Sequence, residues 1–309
     1  MSRRGARSCR EAAGLDDRGM RPKPASPFAS VDPDDEARVV AAKAGDMNAL
    51  DALVRRHQPW VFNLALRMVW RREAAEDATQ EIFLKAVTHL GSFEGRSQFS
   101  TWLHRIAVNH LLNVRKSEME AQSMTFDDMG RSLDSCVDSE LPDESVLPVD
   151  HGLLVEEAKL GCITAMLMCL DRRQRLAFIL GEIFGVTSEQ GGEAMEILAE
   201  NFRQLLTRAR RDLYQFMQGK CGLVNALNPC RCSKKAGAFM ANGWLDPAKR
   251  QFTRERLAAV QDVTPHRLDE LAEMERAHAE HYRSAPLSDG PDFSAKLRAV
   301  VARSGFAKE

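Results

Sequence analysis

The chain has 309 residues, 44% of them hydrophobic and 28% charged, with a formal net charge of −1 and seven cysteines. Such a length suits two small globular domains or one large one, and neither a disordered nor a membrane composition fits. No run of about 18 apolar residues occurs, and the basic start MSRRGARSCREAAG lacks the apolar stretch of a secretory signal, so a cytoplasmic protein without membrane insertion is expected.

Residues 1–31 carry Gly, Pro, Ser and Arg without periodicity and read as a disordered basic tail. A helical domain is expected over 32–116. Asp32 is placed to cap a helix with Pro33 at its first position, Gly45 to end it and Asp46 to cap the next. In that second helix Pro59 should produce a kink or a break, and a third amphipathic stretch ends at Gly91. In the fourth, Phe99, Trp102, Leu103, Ile106 and Leu111 share one helical face. Residues 117–150 are strongly acidic and lack a sustained apolar period, which predicts a flexible, self-repelling linker. Helical periodicity returns over 151–218, interrupted at Gly185 and at Gly191 with Gly192. Residues 219–309 form an extension with helical periodicity around Thr264 and Pro265 and a short last helix. No strand alternation appears, so the predicted fold class is all-α: two small helical domains, a linker and a helical extension.

Three segments carry chemistry. The stretch AEDATQEIFLKA sets Glu76, Asp77, Gln80 and Glu81 on a polar side opposite Ile82, Phe83 and Val87; by spacing alone this is an ordinary solvated face. It is followed by SFEGRSQFSTWLHRIAVNH, where aromatic rings lie beside Arg, His and Asn. Rings stack on any base and cations attract phosphate, although Phe99 and Trp102 are equally read as core. Finally, DRRQRLAFILGEIFG, TSEQGGEAME and LAENFRQLLTRARRDLYQF make a helix-turn-helix pattern. Its third helix turns Phe202, Leu205, Leu206, Ala209 and Leu213 inward and Asn201, Arg203, Gln204, Thr207, Arg208 and Arg211 outward, a composition suited to a major groove.

These segments, in this order, resemble the extracytoplasmic-function (ECF) group of bacterial RNA polymerase sigma factors, over about residues 36–116 and 155–217. LVRRHQPWVFNLALRMV, AEDATQEIFLKA and FEGRSQFSTWLHRIAVNHLLNVRK look like the second sigma region, and LDRRQRLAFILGEIFG through RQLLTRARRDL look like the fourth. The resemblance implies a non-enzymatic subunit that binds core RNA polymerase and directs promoter-specific transcription initiation. It assigns Asp77, Gln80 and Glu81 to polymerase docking, and Phe93, Phe99, Trp102, Arg105 and Asn109 to capture of a −10 base. Asn201, Arg203, Gln204, Thr207, Arg208 and Arg211 go to −35 DNA, and an anti-sigma factor is a further partner of the kind the resemblance allows. Where the family shows an Ile-Ala pair in the short helix this chain has Gly191 and Gly192, and Glu196 stands where Gly makes the turn, so a short or mobile second helix is expected. The alternative reading is a free-standing helix-turn-helix regulator that binds DNA without polymerase. An enzyme finds no support, since no Gly-rich phosphate loop or nucleophile motif is present.

Cys221, Cys230 and Cys232 follow the pattern C-x8-C-x-C beside Arg231, Lys234 and Lys235. Their chemistry suits zinc or another soft metal, with a fourth ligand from Cys162, Cys169, His266, His278 or His281. Redox chemistry and plain packing of small thiols in a tight turn are the other readings. Cys9, Cys136, Cys162 and Cys169 are otherwise expected as free thiols, and regulation of the two sigma regions by the extension is the associated expectation.

Overall fold

The structure, a computed structural model, describes residues 33–114, 124–250, 291–293 and 298. Among these residues the regular elements are helices, and one isolated bridge, Cys221 to Cys230, stands in place of any strand. The predicted all-α class holds. The tail at 1–31 and the periodic stretch around Thr264 and Pro265 lie outside the described residues.

Helix α1 (Pro33–Lys43) opens with Asp34, Asp35 and Glu36 in its first turn, where the helix dipole favours negative charge. Gly45 turns the chain at φ +94°, and Asp46 caps α2 (Met47–Val69) by accepting N–H bonds from Asn48 at 2.8 Å and Ala49 at 3.2 Å. Contrary to expectation, Pro59 does not break α2. Trp60, Val61, Phe62 and Leu64 are all buried around it, and about 1.5–3 kcal/mol for each large apolar side chain outweighs a cost of about 3 kcal/mol for an internal proline. The side-chain amide of Asn63 also donates to the Pro59 carbonyl at 2.7 Å. Helix α3 (Arg72–Thr88) stops short of Gly91, which sits in a 3-10 turn (Leu90–Ser92), and α4 (Phe99–Asn113) completes the first unit.

The expected flexible linker is corrected over its described part, 124–150. Thr125 and Asp128 form a reciprocal capping box at the start of α5 (Phe126–Ser135), which buries Met129 and Leu133 and sets the Phe126 ring 5.2 Å from that of Phe216. These apolar residues are too sparse among acids to register as a period. The acids do not simply repel one another either: Asp134 meets Lys220 at 2.5 Å, Asp138 meets Lys235 at 2.9 Å, and the Ser139 N–H donates to the Lys234 carbonyl.

The second unit comprises α6 (His151–Met168), then α7 (Arg172–Phe178), which continues as a π-helical turn at Ile179–Ile183. Helices α8 (Ser188–Ala194) and α9 (Ala199–Lys220) follow. Helix α8 is short, as expected, and well capped, with Thr187 and Gln190 in a reciprocal box. The glycines inside it have a packing reason: a Cβ on Gly191 would strike the Phe202 ring, and one on Gly192 would lie 2.8 Å from the Ile197 carbonyl. Glu196, at the turn, takes a left-handed φ of +54°. Beyond α9, α10 (Cys232–Ala241) packs on α6.

The two units are not held apart. Arg175 on α7 is 2% exposed and donates to the carbonyls of Leu167 (2.9 Å) and Leu170 (3.1 Å) at the end of α6 and of Met68 (2.6 Å) at the end of α2. One turn away, Arg172 donates to Leu112 (3.2 Å) and Val114 (2.5 Å) at the end of α4. Buried residues from both units therefore belong to one continuous core.

Two measurements check this packing. Gly191→Ala should destabilise by about 1–3 kcal/mol in urea unfolding through its clash with Phe202, whereas Gly219→Ala, with open space at its Cβ, should stabilise by about 0.5–1 kcal/mol. His104 gives the second check. Its ring is fully buried against Trp60 (3.9 Å between centroids), and burial first, then the charge of His57, hold its pKa well below the ordinary 6.5. The unfolded chain takes up a proton near 6.5 and the folded chain does so only at lower pH, so this group leaves stability unchanged above 6.5 and removes it as pH falls below that value. Urea midpoints compared between about pH 7.5 and 5.5 should fall, by up to about 1 kcal/mol from this group, and His104→Phe should shrink the fall.

Candidate functional site

Helix α3 presents its acidic face to solvent. Asp77 and Glu81, four residues apart on one face, are exposed, and Gln80 is half-buried, while Ala78, Ile82 and Phe83 are buried on the other side. Glu76 is drawn to Arg72 at 3.1 Å across one turn, which leaves Asp77 and Glu81 as the outermost carboxylates. Behind this face, His110 lies 2.8 Å from Lys85 Nζ and 3.8 Å from Glu81. Burial and then Lys85 push its pKa down, with Glu81 opposing. The sequence-predicted docking residues thus form one accessible patch.

The aromatic group needs a correction. Phe93 and Phe99 are 8% and 6% exposed, and their rings meet edge-on at 6.0 Å, so neither offers a face to a base. Both instead buttress Trp102, at 5.3 and 5.7 Å. Lys43 anchors this corner by donating to the Phe93 carbonyl at 2.5 Å. Two aromatic residues flanking a glycine loop look alike in sequence whether they face solvent or core, and here the hydrophobic demand of a small helical unit takes them inward. What reaches the surface is a stripe along α4: Trp102 half-buried, then Arg105 and Asn109 exposed one and two turns on. Arg105 pairs across to Glu196 at 3.3 Å, in the turn between α8 and α9.

On α9 the predicted division of faces is reproduced. Asn201, Arg203, Gln204, Thr207, Arg208 and Arg211 are exposed, while Phe202, Leu206, Ala209 and Leu213 are buried and Leu205 is half-buried. The helix is pinned from below by Glu182 of the π-turn, 1% exposed, which receives Arg210 at 2.5 Å. Two cations of the face are engaged by neighbours: Arg203 with Glu200 at 2.5 Å and Glu189 at 3.8 Å, and Arg211 with Asp212 at 2.8 Å. All of these partners are solvent-facing or partly so, and exposed pairs contribute only about 0–1 kcal/mol, so exchange for a phosphate costs little.

The cysteine segment closes the far end of α9. Cys221 caps its C-terminus, Cys230 bridges back to it, and Cys232 begins α10. Among the described residues, no group of three or more His, Cys, Asp or Glu is drawn together closely enough to hold an ion as it stands. Cys169 sits elsewhere, 3.9 Å from the Met129 sulfur, and burial pushes its thiol up to about 12. His266, His278 and His281 lie outside the described residues. Sequence reasoning missed Arg172 and Arg175, whose carbonyl partners come from three separate helices and leave no local pattern.

Comparison with known proteins identifies the family. Residues 53–119, spanning most of α2 through α4, match the Sigma-70 region 2 family. The chain is 29% identical over 192 residues to the RNA polymerase sigma-H factor of Pseudomonas aeruginosa, an alignment covering 60% of this chain and 94% of that protein. It is 30% identical over 184 residues to the ECF RNA polymerase sigma-E factor of Haemophilus influenzae, covering 57% and 91%. To the ECF RNA polymerase sigma-E factor of Escherichia coli K12 it is 29% identical over 184 residues, covering 57% and 90%. Nearly the whole length of these relatives is accommodated by little more than half of this chain, in which α3 and α4 lie within the region 2 match. The chain belongs to the ECF sigma factors of the sigma-70 family.

Proposed function

We propose that this protein binds core RNA polymerase and directs promoter-specific transcription initiation, acting as a binding subunit while the polymerase performs the chemistry. The observation that carries the reading is the pairing of two exposed surfaces of opposite character on one chain of this family: the carboxylate patch of α3 and the Arg, Gln and Asn face of α9. The first docks on polymerase through Asp77, Gln80 and Glu81. The second reads −35 duplex through Asn201, Arg203, Gln204 and Thr207, with Arg208 and Arg211 on phosphate. Trp102, Arg105 and Asn109 form the −10 surface; Trp102 supplies the stacking ring and Phe93 with Phe99 set its angle. A stacked base contributes about 1–3 kcal/mol, enough to offset much of the cost of unstacking it from duplex DNA.

In this reading the protein works in the cytoplasm, where a polymerase subunit meets its promoters. Among the described residues no helix is long and apolar enough to cross a membrane. Because Arg105 is tied to Glu196, occupation of the −10 surface by DNA competes with contact between the two units. An anti-sigma partner that favours the closed arrangement, and an extension that regulates it in cis, are part of the proposal.

Reconstitution with core polymerase tests the docking surface. Asp77→Lys combined with Glu81→Lys should weaken association by more than about tenfold while leaving the unfolding midpoint unchanged, and undiminished binding would exclude α3 as the contact. For α9, Arg203→Ala or Gln204→Ala should cost about 1–3 kcal/mol at the matched promoter with relaxed base preference. Arg211→Ala should weaken all promoters evenly and lower the salt dependence by about one ion. Equal, sequence-independent losses from all three would deny base reading.

A further inference from the structure

We propose that Cys162, Cys221, Cys230 and Cys232 together bind one soft divalent metal ion of the zinc class as a tetrathiolate, with Cys162 of α6 supplying the ligand that the C-terminal trio lacks. The inference does not depend on how the sigma surfaces work.

Helix α9 ends at Cys221, the chain turns through Gly222, and Cys230 returns to lie beside Cys221 as a parallel bridge. The turn is tight: a Cβ at Gly222 would collide with the Cys230 carbonyl and the Arg231 guanidinium. Arg231 and Asn228 fasten the loop, Arg231 donating to the carbonyls of Ala226 and Cys230 at 2.9 Å and Asn228 to those of Gln218 at 3.0 Å and Cys221 at 3.2 Å. Cys232 then opens α10, and α10 packs on α6, the helix that carries Cys162. The end of α9, the loop after it, the start of α10 and the neighbouring α6 thereby carry the four thiols into one neighbourhood, with the sulfurs still apart.

Their surroundings fit thiolate ligation. Cys162 feels, after burial, the charge of Cys232, Cys221 and Cys230 in that order, and Cys232 feels Cys221 and Cys230, so the four sulfurs lie within one another's electrostatic reach. Cys169 is directed elsewhere, with its sulfur 3.9 Å from that of Met129, which separates it from the group. The N–H groups of Leu223 and Val224 both point at the Cys221 sulfur, an arrangement that stabilises a thiolate. Lys159, Arg231 and Lys235 lie near the cluster together with Glu156 and Asp138, which pair with Lys159 at 3.8 Å and with Lys235 at 2.9 Å. Burial keeps all four protonated without metal, so binding displaces their protons: four S–H bonds break, four metal–sulfur bonds form, and four protons pass to solvent. The sulfurs have to be drawn inward to reach the tetrahedral spacing that zinc takes with thiolates, about 2.3 Å to each sulfur. Packing of small thiols alone does not account for two backbone N–H groups aimed at one sulfur.

The test uses the full chain purified without oxygen, stripped of metal and titrated with zinc, and with cobalt as a spectroscopic substitute. The expected result is about one ion per chain, a cobalt spectrum of a tetrahedral sulfur site, and proton release on binding. Alkylation mapped by mass spectrometry should show zinc protecting Cys162, Cys221, Cys230 and Cys232 and leaving Cys169 unaffected. Cys162→Ser should weaken binding by at least about tenfold, and Cys169→Ser should not. Because the mapping is done on the unaltered chain, a folding defect in Cys162→Ser does not blunt it. Protection of the trio without Cys162, a Cys221–Cys230 disulfide in the metal-free protein that zinc does not prevent, or no retained ion would each overturn the proposal.

Discussion

Two arginines on one short helix decide how this molecule is assembled. The last carbonyls of a helix have no partner within it and sit at the negative end of its dipole, so a buried helix end needs a donor, and a cation is the best one. Arg175 serves the ends of α2 and α6 together, and Arg172 serves the end of α4. Sealing a guanidinium in the core costs several kcal/mol in desolvation, and charge-assisted bonds of about 1.5–3 kcal/mol each offset it only when several form at once. The three helix ends must therefore arrive together, which makes the junction between the two units specific.

Given that junction, the functional faces follow. With α2 and α4 fixed at their C-termini, α3 has one apolar side to bury and turns Asp77 and Glu81 outward. With α7 fixed, its π-turn places Gly181 under Leu206 and Glu182 under Arg210, and α9 is held at a set rotation with its Arg, Gln and Asn residues in water. The glycines of α8 belong to the same design. Gly191 lets the Phe202 ring of α9 approach the backbone of the short helix, and Gly192 lets the chain at Ile197 and Ala199 pack close to it.

The acidic segment and the extension form a second electrostatic layer. Carboxylates of 134–138 meet Lys220 and Lys235 around the end of α9, and α10 lies against α6. The end of α9 is thus joined to the acidic segment on one side and to the cysteine loop on the other.

Sequence alone determined the helical class, the cap at Asp46, the shortness of α8, the outward faces of α3 and α9, and the family resemblance. These rest on local rules: a 3.6-residue period, a side chain that reaches its own backbone, and motifs contiguous in the chain. Only the tertiary structure decided what Pro59, Phe93, Phe99 and the acidic segment do. Each depends on competition between local preference and burial against residues far away, and the distant partner decides it. The same holds for Arg172 and Arg175, whose acceptors lie on three helices, and for Cys162, which stands about sixty residues before the cysteines it approaches. Local patterns are written in adjacent residues, whereas the pairing of helix ends and thiols is a property of packing.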